Sequence, residues 1–557
     1  MNAKFRIMMG LAMTLLFGAK AIAQEWEIAH EYAYSDTCIF NYYEAKEMAN
    51  GNIAVESYMA YKSGVGDFYS LQPAVAVIEP SNRHNCLQQS YFKPGYYTSN
   101  IPYVFEKNDT LYLLATYTPD HDFTYFNYFK NYEEQHDYAY LGLYRLDDNL
   151  NITANYETTM PIDTFELRDY SNWQSLPNDY SGSLFLFSAL QEDDAIVGAY
   201  VKRRSIGHDL VHDSLFFFRM NYQGDIIHQV GYQMKSNNTS LSRTFFLRRH
   251  HLVKNGNGFI FYDLSNNVNL QGKTEDDDFS NEGFAMYLDH DFNCVNTKAF
   301  RHYNNHQSNR FYDMSVVRSH QGTTYIATET FDSNQSSSGL SSVALYEYGD
   351  GKSGYLNMLN HAQRYQFNRM DFTPQKSVDI CPTDWTLYFG YTLNAVTAST
   401  DSWMMIEHLY AHFDTINTMY YDFKIPRCRS FMSAITATRD GGCMIVYNAK
   451  NLDNTNQRWS CITKFPAEAF VGIDEAHDNG LKVAIAYPNP GKDVLNIRTG
   501  LRNACVEIYD LTGKLIYNQE ITDNITSINT ENWPGGVYIW KMVLNGKEVE
   551  NGKWIKE

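Results

Sequence analysis

The chain has 557 residues, of which 64 are acidic and 45 are basic, so its formal net charge is −19. This charge argues against a nucleic-acid partner, because phosphate-binding surfaces are built from clustered Lys and Arg. Hydrophobic residues make up 44% of the sequence and aromatic residues 15%, which excludes the disordered class and favours β-strands. We therefore expect a large globular protein rich in β-structure.

The N-terminus has the three regions of a secretory signal peptide. Lys4 and Arg6 precede an apolar run at residues 7–17, and a small-residue motif ends at Ala23. This pattern predicts cleavage between Ala23 and Gln24. The apolar run is shorter than the roughly 20 residues that cross a bilayer, and no later run is long enough, so we expect no transmembrane segment.

A short hairpin pattern recurs seven times after this segment. In each instance an apolar strand enters a tight turn of Gly, Asn or Asp, and a second apolar strand follows. The seven instances lie at residues 48–53, 106–111, 191–196, 255–259, 319–323, 382–385 and 439–443. They recur on average about 65 residues apart, and most units carry a second hairpin signature, so each unit is predicted to contain four strands.

Seven four-stranded antiparallel units predict a seven-bladed β-propeller over residues 24–470. The last unit has no clear fourth strand, whereas the segment at residues 25–32 precedes the first unit without a partner. We expect this N-terminal strand to complete the last blade, because that pairing removes an exposed sheet edge. A stack of two β-sandwich domains is the alternative, but it does not explain the sevenfold repeat.

Long connections between second and third strands, such as residues 119–137 and 265–283, are predicted to emerge on one face of the propeller. We call this side the long-connection face. Loops held by a rigid scaffold concentrate binding residues, and exposed rings beside carboxylates and amides suit sugars or extended peptides. The candidate ligand-binding residues are Asp122, Tyr125, Phe126, Tyr128 and Trp173. The same rings could instead pack these loops onto the blades.

No catalytic or metal-binding motif stands out. The eight cysteines permit disulfides without fixing a pairing, and buried free thiols are an equal alternative. Asp289, Asp291 and Asn293 have the alternation of a calcium loop, but Cys294 occupies the glycine position. We expect no metal and no cofactor, and a binding protein in preference to an enzyme. A hydrolase or lyase acting on glycans or peptides is the alternative, and two carboxyl groups about 5–10 Å apart near the propeller centre would favour it.

A polar linker at residues 471–482 leads to a small antiparallel sandwich, similar in class to an immunoglobulin domain, at residues 483–557. Its motif residues are Tyr487, Pro488, Asn489, Pro490, Asp510, Gly513, Gly536, Tyr538, Lys553 and Lys556. They form a Tyr-Pro-Asn-Pro entry, an Asp-Leu-Thr-Gly turn, a Gly-Val-Tyr strand and a Lys-Trp-Ile-Lys ending. In this order they resemble the type A C-terminal sorting domain of proteins exported by the type IX (Por) secretion system of Bacteroidetes.

The resemblance implies a route and partners for the whole protein. It implies that the chain passes through the periplasm and crosses the outer membrane on the type IX machinery. It also implies that a sortase-like peptidase removes the domain, after which the protein is released or joined to surface lipopolysaccharide. The resemblance does not extend to the propeller, so its ligand, an unknown glycan or protein, stays undefined.

Overall fold

The computed structural model describes most of the strands and the short turns between them. The described residues are 26–33, 38–62, 69–81, 86–94, 96–98, 101–119, 138–161, 179–206, 210–233, 251–264, 283–300, 310–331, 341–348, 357–359, 376–393, 402–411, 413, 415–421, 428–470, 484–487, 491–499, 504–522, 525–544 and 547–556. Within them, one 3-10 turn at Ala467–Phe470 interrupts an otherwise all-β chain.

The N-terminal strand and three antiparallel sheets come first along the chain. The strand is β1 (Trp26–Ala33). The first sheet contains β2 (Cys38–Glu47), β3 (Ile53–Lys62), β4 (Tyr69–Ile78) and β5 (Cys86–Ser90). In the second, β6 (Tyr96–Tyr97) and β7 (Tyr103–Lys107) both pair with β8 (Thr110–Pro119), and β9 (Tyr138–Leu146) and β10 (Ile152–Pro161) follow. The third contains β11 (Asp179–Gln191), β12 (Ala195–Ile206), β13 (Leu210–Asn221) and β14 (Ile226–Gln233).

Four further sheets continue the array. The fourth contains β15 (Leu252–Asn255), β16 (Gly258–Leu264), β17 (Gly283–Leu288) and β18 (Cys294–Phe300). The fifth contains β19 (Arg310–Arg318), β20 (Thr324–Phe331), β21 (Ser341–Tyr348) and β22 (Asn357–Leu359). The sixth contains β23 (Val378–Ile380), β24 (Leu387–Leu393), β25 (Trp403–Leu409) and β26 (Thr415–Tyr421). The closing sheet contains β27 (Cys428–Ala437), β28 (Cys443–Asn451), β29 (Gln457–Phe465) and β1.

The closing sheet joins the two ends of the array, as the sequence predicted. β1 pairs antiparallel with β29 along its whole length, from Trp26 opposite Lys464 to Ala33 opposite Gln457. The Glu27 carboxylate accepts hydrogen bonds from two buried tyrosine hydroxyls, one of them that of Tyr421. Burial, with the added effect of Glu27, raises the pKa of Tyr421. β1 therefore covers the β29 edge with both backbone and side-chain bonds.

Successive sheets pack face to face around a closed ring. Between the closing sheet and the first sheet, Trp26, Tyr42, Val55, Ala434 and Ile462 belong to one buried cluster. Six equivalent clusters fill the gaps between the other neighbouring sheets, including the gap between the sixth sheet and the closing sheet. Several four-stranded sheets packed in this way are consistent with a β-propeller.

The seven turns predicted from the sequence join the first and second strands of the seven sheets. In the first, Met48 N–H donates to Asn52 O (2.8 Å) and Gly51 N–H donates to Met48 O (3.0 Å), so the hairpin is a tight turn with one left-handed residue. That residue is Gly51, with φ of 86°. We call the end of the ring that carries these turns the short-turn face.

Each turn on the short-turn face contacts the turn region of the next sheet. The contacts are Ala49 N to Glu106 Oε2 (2.7 Å), Lys107 Nζ to Asp194 Oδ1 (2.9 Å), Lys254 Nζ to Glu192 Oε1 (3.7 Å), Arg318 Nη2 to Asn255 Oδ1 (2.8 Å), the ring contact of His320 with Trp385, Tyr388 Oη to Gly441 O (2.6 Å) and Arg439 N to Glu47 Oε2 (2.7 Å). Seven contacts therefore tie the seven sheets together at this end.

The expectation of long connections between second and third strands is wrong for two sheets. β12 and β13 pair along twelve residues each, so only residues 207–209 join them. β28 and β29 are joined by residues 452–456 alone.

All eight cysteines are free thiols, and four of them are buried in the sixth and closing sheets.

The C-terminal residues form two further sheets that share one core. The first contains β30 (Ala484–Tyr487), β31 (Val494–Thr499) and β34 (Ile525–Asn529), and the second contains β33 (Leu515–Glu520), β32 (Ala504–Tyr509), β35 (Gly536–Leu544) and β36 (Lys547–Lys556). Ile497 and Ile528 from the first sheet pack with Val506, Trp540 and Trp554 from the second. The predicted small β-sandwich is therefore present.

Candidate functional site

The residues predicted to bind a ligand lie outside the described part of the chain. They are Asp122, Tyr125, Phe126, Tyr128 and Trp173. The predicted signal cleavage site at Ala23 and Gln24 also lies outside it. These assignments stay predictions, and the described residues supply other features from which a site can be built.

A group of charged side chains forms an ion cluster across three sheets. Lys376 Nζ lies 2.9 Å from Asp379 Oδ2 and 3.3 Å from Glu44 Oε1. It also donates to Thr436 Oγ1 at 3.3 Å. Burial alone would lower the pKa of Lys376, but the carboxylates of Asp379 and Glu44 outweigh it and raise that pKa. The cluster connects the first, sixth and closing sheets.

The local backbone explains how these side chains meet. A β-bulge between Tyr42 and Glu44 shifts the register of β2, and such bulges re-aim side chains. Lys376 forms a parallel bridge with Ala434, and its carbonyl accepts a hydrogen bond from Ile435 N–H. The bulge therefore orients the Glu44 carboxylate and the bridge positions the Lys376 ammonium, so that the two groups meet beside β27.

A second buried ion pair joins the first and second sheets. Lys46 Nζ lies 2.6 Å from Glu56 Oε1, and Glu56 is fully buried. The same carboxylate oxygen accepts a hydrogen bond from Val104 N–H at 2.7 Å. The Lys46 ammonium also lies 5.7 Å from the ring centre of Tyr103 and 5.6 Å from that of Phe105. This pair stabilises the interface between two sheets.

The ion cluster does not offer a free pair of catalytic carboxyls. Glu44 and Asp379 contact one ammonium, so the contacting oxygens lie within about 6 Å of each other, a spacing compatible with glycoside hydrolysis. Hydrolysis needs one carboxyl as an acid and another as a nucleophile or base. Here the Lys376 ammonium contacts both carboxylates. The sequence did not reveal this cluster, because Glu44 and Lys376 are distant in the chain and β2 carries other charged residues as well.

A row of like charges lies at the opposite end of the closing sheet from its short turn. Arg429 is directly opposite Lys450, and Lys450 is directly opposite Arg458. Burial, then the charges of Arg458 and Arg429, lower the pKa of Lys450. Like charges directly opposite each other destabilise a sheet.

The described residues contain neither a metal-binding cluster nor a membrane-spanning helix. No three His, Cys, Asp or Glu side chains there lie close enough to hold a metal ion. The Asp289 carboxylate instead closes its own turn, accepting hydrogen bonds from Asp291 N–H at 2.9 Å and Asn293 N–H at 2.8 Å. No helix in the same residues is long and apolar enough to cross a membrane.

The Asp-Leu-Thr-Gly motif of the C-terminal sandwich forms a tight hairpin turn. Asp510 Oδ1 accepts hydrogen bonds from Thr512 N–H (2.9 Å) and Lys514 N–H (3.0 Å). The hydrogen bond from the Thr512 hydroxyl is the main cause that lowers the pKa of Asp510. Gly513 has φ of 81°, a conformation that a glycine adopts without strain. The motif thus specifies a turn.

The C-terminal residues bind the segment that precedes β31 in the sandwich. Lys556 Nζ donates to the Lys492 carbonyl and lies 3.4 Å from Asp493 Oδ1, while Gly491 N–H donates to Ile555 O at 2.8 Å. The Tyr538 hydroxyl donates to a carbonyl at 2.8 Å. Of the other motif residues, Tyr487 ends β30, Gly536 begins β35 and Lys553 lies opposite Ile539, whereas Pro488, Asn489 and Pro490 lie outside the described residues.

Residues 485–557 match the family model described as the secretion system C-terminal sorting domain. The C-terminal sandwich is a type IX secretion sorting domain. This sorting domain engages the type IX secretion machinery and directs the protein to the cell surface or the extracellular space. The family resemblance predicted from the motif residues is therefore confirmed. The match leaves the ring of sheets without a family.

Comparisons over most of the chain give distant matches. No curated protein matches the sequence. A Dyadobacter fermentans protein of unknown function covers 79% of this chain and 98% of its own, at 10% identity and a TM-score of 0.38. Penicillium chrysogenum α-L-arabinanase in complex with arabinobiose covers 78% and 94%, at 10% identity and 0.34. PorZ, a surface component of the Porphyromonas gingivalis type IX system, covers 94% and 100%, at 9% identity and 0.17. These scores are too low to carry an argument about fold or activity.

Proposed function

We propose that this protein is a secreted or surface-attached binding protein, with a seven-bladed β-propeller over residues 24–470 as its ligand-binding module. A linker at residues 471–482 and an immunoglobulin-like sorting sandwich at residues 483–557 complete the chain. The ligand is a glycan or a protein, and it binds on the long-connection face. The candidate contacts there are Asp122, Tyr125, Phe126, Tyr128 and Trp173.

The closure of the ring is the observation that carries this proposal. β1 binds β29 along its full length, so the ends of the array hold each other. At the short-turn face, neighbouring turns contact one another around the ring. Connections at the other end are therefore mounted on a rigid scaffold, which is where binding residues concentrate.

We favour binding over hydrolysis because of the buried ion cluster. Glu44 and Asp379, the two carboxylates that approach each other through one partner, both bind Lys376. Their charge is used to join three sheets.

The export route follows from the sorting domain and the N-terminal pattern. We propose that the signal peptide is cleaved between Ala23 and Gln24 and that the chain then crosses the periplasm of a Bacteroidetes cell. A sortase-like peptidase removes residues 483–557 at the surface. The protein is then released or joined to lipopolysaccharide.

A binding screen tests the proposed function. The purified full chain is applied to arrays of extracellular polysaccharides and of host extracellular proteins, and each hit is measured by titration calorimetry. Tyr125→Ala and Trp173→Ala are expected to weaken binding about fivefold or more without changing the melting temperature, because a stacking ring contributes on the order of 1 kcal/mol. Tyr410→Ala, an exposed ring at the other end of the molecule, is the control. Unchanged affinity in both folded variants contradicts the assignment of this face.

A further inference from the structure

Four residues with bulky side chains adopt left-handed backbone conformations. Leu150, Phe292, Trp385 and Phe413 have φ of 62°, 60°, 64° and 70°. Positive φ is unfavourable for such residues, because Cβ approaches the neighbouring carbonyl. Each of them therefore needs a compensating interaction.

For three of these four residues, burial of the side chain compensates the backbone strain. The side chains of Phe292, Leu150 and Phe413 are 0%, 1% and 8% exposed, and each packs in a cluster between two sheets. Trp385 is 47% exposed. Its backbone has the same unfavourable conformation, but much of its ring faces solvent, so core packing does not explain the choice of Trp.

Three other turns of the short-turn face have glycine as the left-handed residue before the closing carbonyl. In the turns of the first, fifth and closing sheets, the residue before the closing carbonyl is Gly51, Gly322 and Gly441, with φ of 86°, 91° and 88°. In the sixth sheet the turn is one residue longer and closes by Cys381 N–H donating to Thr386 O at 2.8 Å, and Trp385 is the left-handed residue before the closing carbonyl. Trp385 thus has a strained backbone conformation where other turns of the ring have glycine. Such a residue points to a function for its side chain.

The Trp385 ring has an exposed aromatic neighbour from the next turn. Its centre lies 3.9 Å from that of the exposed His320 imidazole, with 39° between the ring planes. The exposed side chains of Thr383 and Asp384 belong to the same turn as Trp385. Asp384 Oδ1 is fixed by hydrogen bonds from Thr386 N–H (3.0 Å) and Oγ1 (2.6 Å). Two rings with an ordered polar edge thus lie on the short-turn face.

We propose that the face of the Trp385 ring turned away from His320 binds a neutral sugar ring, with His320 supporting the opposite face. A pyranose presents an apolar C–H face to stack on an aromatic ring and hydroxyl groups at its edge, which Asp384 and Thr383 can accept. The Asp384 carboxylate and the net charge of −19 disfavour an acidic ligand. This site is independent of the proposed site on the long-connection face.

The test compares two glycine substitutions at left-handed positions in the full chain. Trp385→Gly relieves the backbone strain but also removes the ring contact with His320, and because these effects oppose each other its melting temperature is expected to change little. Binding of neutral hexasaccharides, namely cellohexaose, mannohexaose, xylohexaose and chitohexaose, is expected to fall about fivefold or more for each one that binds the natural protein. Phe413→Gly is the matched control: it empties a buried position and should lower the melting temperature while leaving hexasaccharide affinity unchanged.

Three results would overturn the proposal. The first is that none of the four hexasaccharides binds the natural protein. The second is that Trp385→Gly binds them as tightly as the natural protein does. The third is a fall in melting temperature for Trp385→Gly as large as that for Phe413→Gly, which would show that packing against His320 is what keeps the ring in this turn. Trp385→Phe, which keeps an aromatic face, is expected to retain part of the affinity that Trp385→Gly loses.

Discussion

The ring of sheets and the sorting domain use the same hairpin turn but fill it with different residues. In both, an aspartate carboxylate accepts hydrogen bonds from the amides two and four residues later, at Asp289 in the ring and at Asp510 in the sorting domain. The left-handed residue is the fully buried Phe292 in the ring and Gly513 in the sorting domain. The sorting-domain turn also presents Leu511, which is 71% exposed.

This difference shows that the residues a turn needs for backbone closure are not enough to identify a protein family. The aspartate is needed for backbone closure in both regions, so Asp510 and Gly513 are explained by geometry alone. In the ring, the left-handed side chain also packs between sheets, and that second demand changes the residue from sheet to sheet. The sorting motif therefore identifies its family through several features in order, whereas the ring turns identify only a repeat.

The largest effect is expected when the ring is opened. Deleting residues 26–33 removes the strand that pairs with β29 and the buried Trp26, so the ring should lose more than about 5 kcal/mol of unfolding free energy. The sorting domain should still unfold at its original urea concentration, because β1 contributes nothing to its core. Urea unfolding of the full chain, followed by hydrogen exchange in both regions, measures this. Unchanged unfolding of the ring would contradict its closure by β1.

A slightly smaller loss is expected from breaking the buried ion cluster. Lys376→Met leaves the buried Glu44 and the half-buried Asp379 without their shared cation, which should cost about 3–5 kcal/mol. Lys541→Met is the control in the sorting domain, where the pair with Glu548 is partly exposed and should contribute at most about 1 kcal/mol. Equal losses in the two variants would show that the cluster is not a clamp between sheets.

The paired turns give the next comparison. Phe292→Ala removes a fully buried ring and should cost about 3–5 kcal/mol. Gly513→Ala meets nothing within 4 Å, so only its backbone conformation is penalised, by about 1–2 kcal/mol. Thermal unfolding of both variants measures the difference. A larger loss of stability for Gly513→Ala than for Phe292→Ala would contradict the conclusion that burial of Phe292 stabilises its turn.

The sequence predicted the features of the ring that depend on local chemistry. The seven turns were found because tight hairpins need Gly, Asn or Asp, and β1 was placed because one unit lacked a strand. The cluster of Glu44 and Lys376 was not predictable, because ring closure brings together residues that are distant in the chain. The exposure of Trp385 was equally hidden, since a turn that contains Trp has the same sequence pattern whether its ring is buried or faces solvent.

The central claim is that the export signal and the ring are separate units of one chain. Its most direct test is the cellular location of a variant that lacks residues 483–557 and keeps the N-terminal segment. Fractionation and protease accessibility of intact cells should find this variant folded in the periplasm, while the full chain reaches the surface. Surface exposure of the truncated protein at the level of the full chain would contradict the claim.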